Sequence, residues 1–500
     1  MTTLSATDAN FLYAETQDCP MSIASLQYMA LPPGVSEVQF VKGLKQFLLA
    51  RLDWVPYLTN KVQFASGIWG HPNWVKAQDF DIDNHVYTLP VPAPGGLKQV
   101  EQVIARLHEQ PLDRSRPLWD LVILTGLPNR QVAYYNRVHH ACLDGMAAQA
   151  STQLLMDTDP STPETKQPLP ANSGGPIGIA NHLQGMFEAM LAQSIESVFN
   201  SPARSAAMNR IWQRANDPAR GIGAAFTPCP ATPINTNIDR GRVFAAGQIP
   251  LAQIKQLAKH MHCTINDVFM AVCGGALRSY LLRRSGLPDT TLIAGCPVSM
   301  RKAGDSSNNN QVSMMRIALG THINDHVERV KFVRRSTEQA KRLLIEARPM
   351  LSDDFTAPAL GLAIRGAQLA NGLMGTADRL PPPINVLISN VPGPRKPLYS
   401  NGARMLSHYP ISIPTHGVGV NITVQSYTDT LYIGVTAASR SAPDADRLRD
   451  DIDTAFVALY NAMTAEIVEL QHVKSATSAI TAKTSNSEKP YMTGLSEQVA

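Results

Sequence analysis

Residues 137–145 read RVHHACLDG, and two adjacent histidines followed by an Asp-Gly pair decide how the rest of the chain is read. The stretch closes a strand-like run, QVAYYNRVHH (131–140), and opens a helix-forming one, GMAAQASTQLLMD (145–157). In an extended strand successive side chains point to opposite faces. Val132, Tyr134, Asn136, Val138 and His140 therefore share one face, and Ala133, Tyr135, Arg137 and His139 the other. Two opposed histidines cannot meet one small ion, and no further His, Cys or carboxylate stands nearby at a familiar ligand spacing. No metal site is expected here.

Asp144 sits where strand gives way to helix, the place of a simple N-cap. Gly145 behind it would let the backbone turn sharply or approach another segment closely. Cys142 raises a nucleophilic reading, since a thiolate beside an imidazole can carry an acyl group. Against that, free cysteines are commonly buried and inert. The constellation is more informative than any one member.

Outward from this stretch the chain alternates strands and amphipathic helices. SIASLQYMAL (22–31) has strand composition, and 36–53 carries Phe40, Leu44, Phe47, Leu48 and Leu52 at helical spacing behind a Ser36 cap. Residues 96–110 repeat the helical pattern. WDLVILT (119–125) and QVAYYNRVHH face each other across GLPNR, a connection of hairpin length. A Pro-rich linker (158–238) carries an apolar helical stripe at 183–198, read as a helix packed on a domain. From about 240 the alternation resumes, with helices expected at 250–261 and 264–284. Strands are expected at 291–298, 383–394, 418–427 and 430–437, and a long last helix at 443–470. Four segments follow: an N-terminal domain (1–157), the linker (158–238), a C-terminal domain (239–472), and a Ser/Thr/Lys-rich tail (473–500) expected to be disordered.

Composition bounds the rest. Five hundred residues with 44% hydrophobic and 17% charged side chains suit a globular protein of two domains. Six scattered cysteines without framework spacing read as reduced thiols in a cytosolic setting. No signal peptide or spanning apolar run is visible. A net charge of +4 does not imply nucleic acid, although it is compatible with a weakly anionic membrane surface.

HHACLDG resembles the HHxxxDG signature of the CoA-dependent acyltransferase superfamily, which includes chloramphenicol acetyltransferase-like enzymes and peptide condensation domains. Five further stretches resemble one branch, the bacterial wax ester synthase/diacylglycerol acyltransferase family. They are LSATDANFLYAET (4–16), PLW (117–119), TINDV (264–268), PVSMR (297–301) and NVPGP (390–394), in the family's order and spanning roughly 4–465. The resemblance implies an α/β (α+β) fold of two acetyltransferase-like domains, each a mixed sheet with flanking helices, with the active site in the channel between them.

It implies an activity as well: transfer of a fatty acyl group from acyl-CoA to diacylglycerol or a long-chain alcohol, with CoA as substrate and no cofactor. His140 maps onto the general base; a neutral imidazole, of unperturbed pKa about 6.5, can take the alcohol's proton. It then protonates the departing thiolate, so no acyl-enzyme is needed and Cys142 is a bystander. His139 is expected to orient the loop. Asp144 is expected to be structural, paired with an arginine, with Arg301 the first candidate and Arg137 and Arg116 alternatives. Asn266 stands in a first helical turn that could meet an oxyanion, whereas Asp267 equally completes a capping box with Thr264. Pro117, Leu118 and Trp119 are expected to line or support an acyl channel, Trp119 equally being plain core. SNNNQVSMM (307–315) departs from the family's Gly-Asn at this point, which weakens Asn310 as a functional position. Apolar substrates imply peripheral contact with the inner membrane face or lipid inclusions. Two other readings stay open: a carrier-dependent condensation enzyme, for which the chain has no carrier-like serine motif, and a non-catalytic lipid-binding protein of the same fold.

Overall fold

The computed structural model describes residues 2–64, 72–161, 166, 229–299, 312–347, 372 and 374–464. The expected helical stripe at 183–198, Arg301, Asn309, Asn310 and the tail from 473 lie outside them. The N-terminal half runs β1 (Thr2–Thr3), α1 (Ala6–Ala14), β2 (Ser22–Ala30), α2 (Glu37–Leu49), β3 (Asn60–Gln63), β4 (Asn73–Lys76), β5 (Val86–Pro90), α3 (Leu97–His108), β6 (Trp119–Thr125), β7 (Gln131–His139) and α4 (Gly145–Leu155). The second half continues with β8 (Arg242–Pro250), α5 (Leu251–His260), α6 (Ile265–Arg283), β9 (Ile293–Ser299), β10 (Val312–Ala318) and α7 (His326–Ala347). It then adds β11 (Val386–Val391), β12 (Tyr399–Ser400), β13 (Ala403–Ile411), β14 (Val420–Tyr427) and β15 (Thr430–Ala438). A last helix, α8, is described over 445–464.

Local chemistry explains these boundaries. Ser36 caps α2 in a reciprocal box with Gln39, and Phe40, Leu44 and Leu48 form its buried stripe. The β6–β7 connection turns through Asn129 and Arg130, both left-handed at φ 60° and 54°. That double positive φ matches the right-handed twist of the strands it joins. Helix α6 begins at a Thr264–Asp267 capping box, and thirteen of its residues are buried, so it is a core helix rather than an amphipathic one.

Two six-stranded mixed sheets result, in the orders β12-β13-β2-β7-β6-β5 and β10-β9-β11-β14-β15-β8. Parallel pairs occur at β5–β6 in the first and at β9–β11 and β11–β14 in the second. The small third sheet is β1-β4-β3. The division at 239–472 needs correction on one point: Tyr399–Ile411 leaves the second half and extends the first sheet, β13 pairing antiparallel with β2 from Arg404↔Ala30 to Ile411↔Ala24. A β2 edge would otherwise present unpaired N–H and C=O groups.

The halves are also joined across their backs. Strand β8 is the edge of the second sheet, and its Ala246 N–H donates to Glu101 Oε1 of α3 at 2.8 Å. Arg449 donates to the Ala246 carbonyl, also at 2.8 Å, so side chains from both halves complete this edge. A shared apolar cluster, including Leu26, Ile104, Val122, Phe244 and Ile411, fills the space between. Where the sheets meet, a Cβ on Gly434 would fall 1.7 Å from the Pro410 carbonyl oxygen. Only glycine lets the two backbones approach so closely.

Candidate active site

Strand β7 ends at His139, and its alternation carries through to His140. Tyr134, Asn136, Val138 and His140 line cavities on one face. The opposite face holds Arg137, bonded to Asp120, and Tyr135, whose hydroxyl lies 2.8 Å from His108 Nδ1. The two histidines therefore do opposite things.

His140 opens into a cavity of about 520 Å³ whose walls come from both halves. Asn10, Phe11, Asp144, Gly145 and Thr152 contribute from the first half, and Pro297, Met314, Leu387, Ser389 and Val391 from the second. The Phe11 ring stacks on the imidazole at 4.0 Å, 8° from parallel, and the His140 N–H donates to the Met21 carbonyl at 2.8 Å. These contacts fix the ring's plane and the backbone that carries it. His408 of β13 also lines the cavity, buried and pushed down to about 4 by that burial, so it is neutral near pH 7. Its ring nitrogens lie 3.4 Å from the amides of Gln27 and Gln425.

His139 is fully buried. Its Nδ1 accepts the Ala141 N–H at 3.0 Å, and its Nε2 stands 3.3 Å from Glu15 Oε1 in an electrostatic contact rather than a well-aligned hydrogen bond. Acceptance at Nδ1 puts the proton of a neutral ring on Nε2, facing the carboxylate. Glu15 also receives Arg114 at 2.8 and 3.1 Å and the Met21 N–H at 3.0 Å. Burial alone would raise its pKa, but the His139 contact, Arg114 and the Met21 N–H outweigh it and hold the carboxyl at about 2. Glu15 and Phe11 lie within LSATDANFLYAET, and the sequence reading singled out neither. Helix α1 brings Phe11 across the reacting face, and Glu15, just past its end, stands behind the loop.

Asp144 caps α4, its Oδ1 accepting the Ala147 N–H at 2.9 Å, and it also lines the cavity. The alternative arginines are corrected: Arg137 is taken by Asp120 and the Leu107 and Gln110 carbonyls, and Arg116 by Asp113 and the Asn84 carbonyl. Gly145 serves close approach rather than a sharp turn. A Cβ there would sit 3.2 Å from Val391 of NVPGP, tying that motif to the histidine loop. Cys142 is buried and is not among the cavity's walls, and burial, with the Asp8 charge, pushes its thiol far above the ordinary range. A thiolate is not available there.

Leu118 and Trp119 support the loop from the neighbouring strand. The Leu118 carbonyl accepts the His139 N–H at 3.0 Å, and Trp119 donates its Nε1 proton to Leu58 O at 2.9 Å while lining a smaller cavity. Pro117 precedes them and lines neither cavity. The structure does not bring Asn266 or Asp267 to the His140 cavity. Asp267 is buried, and its Oδ2 accepts from the Thr264 N–H and hydroxyl at 2.9 and 2.7 Å, which is the capping alternative. Asn266 stands in the first turn of the same helix, whose apolar residues are anchored in the second half's core.

Comparison with known proteins now bears on this arrangement. The wax ester synthase/diacylglycerol acyltransferase catalytic domain matches residues 4–269, and the C-terminal domain of the same family matches 308–460. A Mycobacterium tuberculosis protein named as a diacylglycerol O-acyltransferase is 33% identical over 465 residues, covering 92% of this chain and all of its own. A Mycobacterium bovis relative named likewise is 31% identical, over 91% of this chain and 98% of its own. Among solved structures, the wax ester synthase/diacylglycerol acyltransferase from Marinobacter aquaeolei VT8 superposes with a TM-score of 0.65 at 26% identity, over 92% and 98% of the two chains. The first condensation domain of the CDA synthetase shares the fold at a TM-score of 0.54 and 13% identity. The chain belongs to the wax ester synthase/diacylglycerol acyltransferase family and is an acyltransferase.

Proposed function

We propose that this enzyme transfers a fatty acyl group from acyl-CoA to the hydroxyl of diacylglycerol or a long-chain alcohol, giving triacylglycerol or wax ester. The observation that carries the reading is the position of His140, stacked on Phe11 and open to a mainly apolar cavity large enough for lipid chains. The alcohol oxygen attacks the thioester carbon while its proton passes to His140. The C–S bond then breaks, and the imidazolium returns the proton to the thiolate, leaving an ester and free CoA. General base catalysis of this kind supplies roughly 10²–10⁴-fold, and positioning of the two substrates the larger remainder. The inert Cys142 fits a route without an acyl-enzyme, and CoA enters as a substrate rather than a resident cofactor.

The same reading places the enzyme in the cytoplasm, peripherally at the inner membrane face or on lipid inclusions, where its substrates concentrate. Met314, 46% exposed, lines the cavity, and Met146, 41% exposed, follows Gly145; both offer exposed apolar surface for such contact. Among the described residues no helix is long and apolar enough to cross a membrane. The test is a panel of purified enzyme with hexadecanoyl-CoA plus diacylglycerol, hexadecanol, or an amine acceptor, and with an acyl carrier protein thioester as alternative donor. Ester formation from the CoA thioester is expected. Turnover confined to the carrier-bound donor would favour a condensation-type enzyme instead.

A further inference from the structure

The wall of the His140 cavity is mainly apolar, but one stretch of it is polar, and the strand registers place that stretch. His408 of β13 stands opposite Gln27 of β2, which stands opposite Tyr134 of β7. Directly opposed residues share a face, so all three project on the side of β7 that carries Asn136, Val138 and His140. Tyr134 precedes His140 by six residues, and β13 lies two strands from β7. The two imidazoles are therefore roughly 20 Å apart, yet both line one cavity. From the second sheet, Asn421, Thr423 and Gln425 of β14 alternate onto the same space. Two of these are well paired: Thr423 donates to Asn421 Oδ1 at 2.8 Å, and Asn421 to Ser412 Oγ at 2.9 Å. The contacts of His408 are looser. Its ring nitrogens lie 3.4 Å from the Gln27 and Gln425 amides, beyond the usual range of about 2.7–3.2 Å for an N–H hydrogen bond.

A neutral imidazole carries one N–H donor and one bare nitrogen acceptor, the two functions that a hydroxyl group matches. Elsewhere Ile23, Val138, Leu387, Val391 and Ile413 line the cavity with carbon. A plain hydrocarbon held by these walls gives the ring no better partner, whereas a chain bearing oxygen at that depth does. An extended chain, with a hydrogen bond at each end, covers roughly 20 Å with about twelve to sixteen carbons, each advancing about 1.25 Å. We infer that His408, backed by Gln27 and Gln425, is a specificity-determining seat for a second oxygen function, a hydroxyl above all, carried far along a long aliphatic substrate. The inference names a substituted chain that the proposed reaction does not require, and it rests on His140 being the reacting centre. The chain is either that of the alcohol or that of the acyl thioester, which share this chemistry.

The test uses the whole purified enzyme in two arms. One compares dodecane-1,12-diol and hexadecane-1,16-diol with the matching plain alcohols, hexadecanoyl-CoA being the donor. The other compares 16-hydroxyhexadecanoyl-CoA with hexadecanoyl-CoA, hexadecanol being the acceptor. Wild type is expected to keep kcat/KM for the substituted chain within about tenfold of the plain one in at least one arm, which identifies the chain seated there. His408→Leu is expected to lower that ratio at least about tenfold, and His408→Gln, which keeps a donor and an acceptor, to hold it within about threefold. His408→Phe preserves a flat ring and decides the matter if the Leu variant does not fold. Octane-1,8-diol, whose second hydroxyl falls short of the ring, is expected to show no such dependence on His408. Rejection of substituted chains by wild type beyond about tenfold in both arms, an unchanged ratio in His408→Leu, or a loss spread evenly over substituted and plain chains overturns the seat. A failure of the base assignment would show separately, as undiminished turnover by His140→Ala.

Discussion

At the scale of single residues, the pair His139–His140 divides its labour by strand parity, and that division was legible in the sequence because a period of two is all it requires. Glu15 was not legible: its carboxylate reaches His139 from a segment more than a hundred residues earlier, and nothing local marks it. Its place between Arg114, the Met21 N–H and His139 makes it a positioning residue for the loop. Glu15→Gln is expected to lower kcat about tenfold with KM nearly unchanged, measured alongside the pH–rate profile, whose shape should alter. A loss confined to melting temperature would reduce Glu15 to a structural role. Because folding depresses the Glu15 pKa from 4.5 to about 2, its contribution to stability is complete above pH 4.5 and fades as pH falls toward 2. Acid unfolding of Glu15→Gln, followed by circular dichroism, should lack that part of the wild-type slope. Cys142→Ala should leave kcat/KM within about twofold, since its thiol is shut away from the cavity and stays protonated; loss matching a His140 variant would revive a covalent route.

At the scale of elements, helix starts were readable where a cap announced them, as at Ser36, Asp144 and Thr264. The same signal accounts for Asp267 as the partner of the Thr264 cap. Asp267→Ala should cost about 1 kcal/mol of stability in urea unfolding and leave kcat close to wild type; a fall in kcat of a hundredfold at unchanged stability would return this turn to the active site. Arg137 shows the opposite case, a buried charge with no local clue to its partner. Its bidentate bond to Asp120 sits on the face of β7 away from His140. Asp120→Ala would strand that guanidinium, with an expected loss of roughly 3–5 kcal/mol by chemical denaturation. A loss under 1 kcal/mol would show the pair to be dispensable.

At the scale of the whole molecule, the two-domain plan was visible in the alternation of strands and helices, but the exchange of Tyr399–Ile411 into the first sheet was not. Strand composition says that a segment will pair and is silent on which sheet receives it. The exchange has a mechanical consequence: neither half is complete alone, and the His140 cavity exists only where β7 and α4 face β11, β13 and β14. Gly434 marks one close approach of the two sheets. The account's central claim is that His140, held at this junction, moves the proton as the ester forms. The most direct measurement is single-turnover acyl transfer from hexadecanoyl-CoA to hexadecanol by His140→Ala, with its melting temperature recorded beside wild type. The account predicts a rate lower by about 10²–10⁴-fold with the melting temperature unchanged. A rate within about threefold of wild type, in a protein that melts normally, would contradict it.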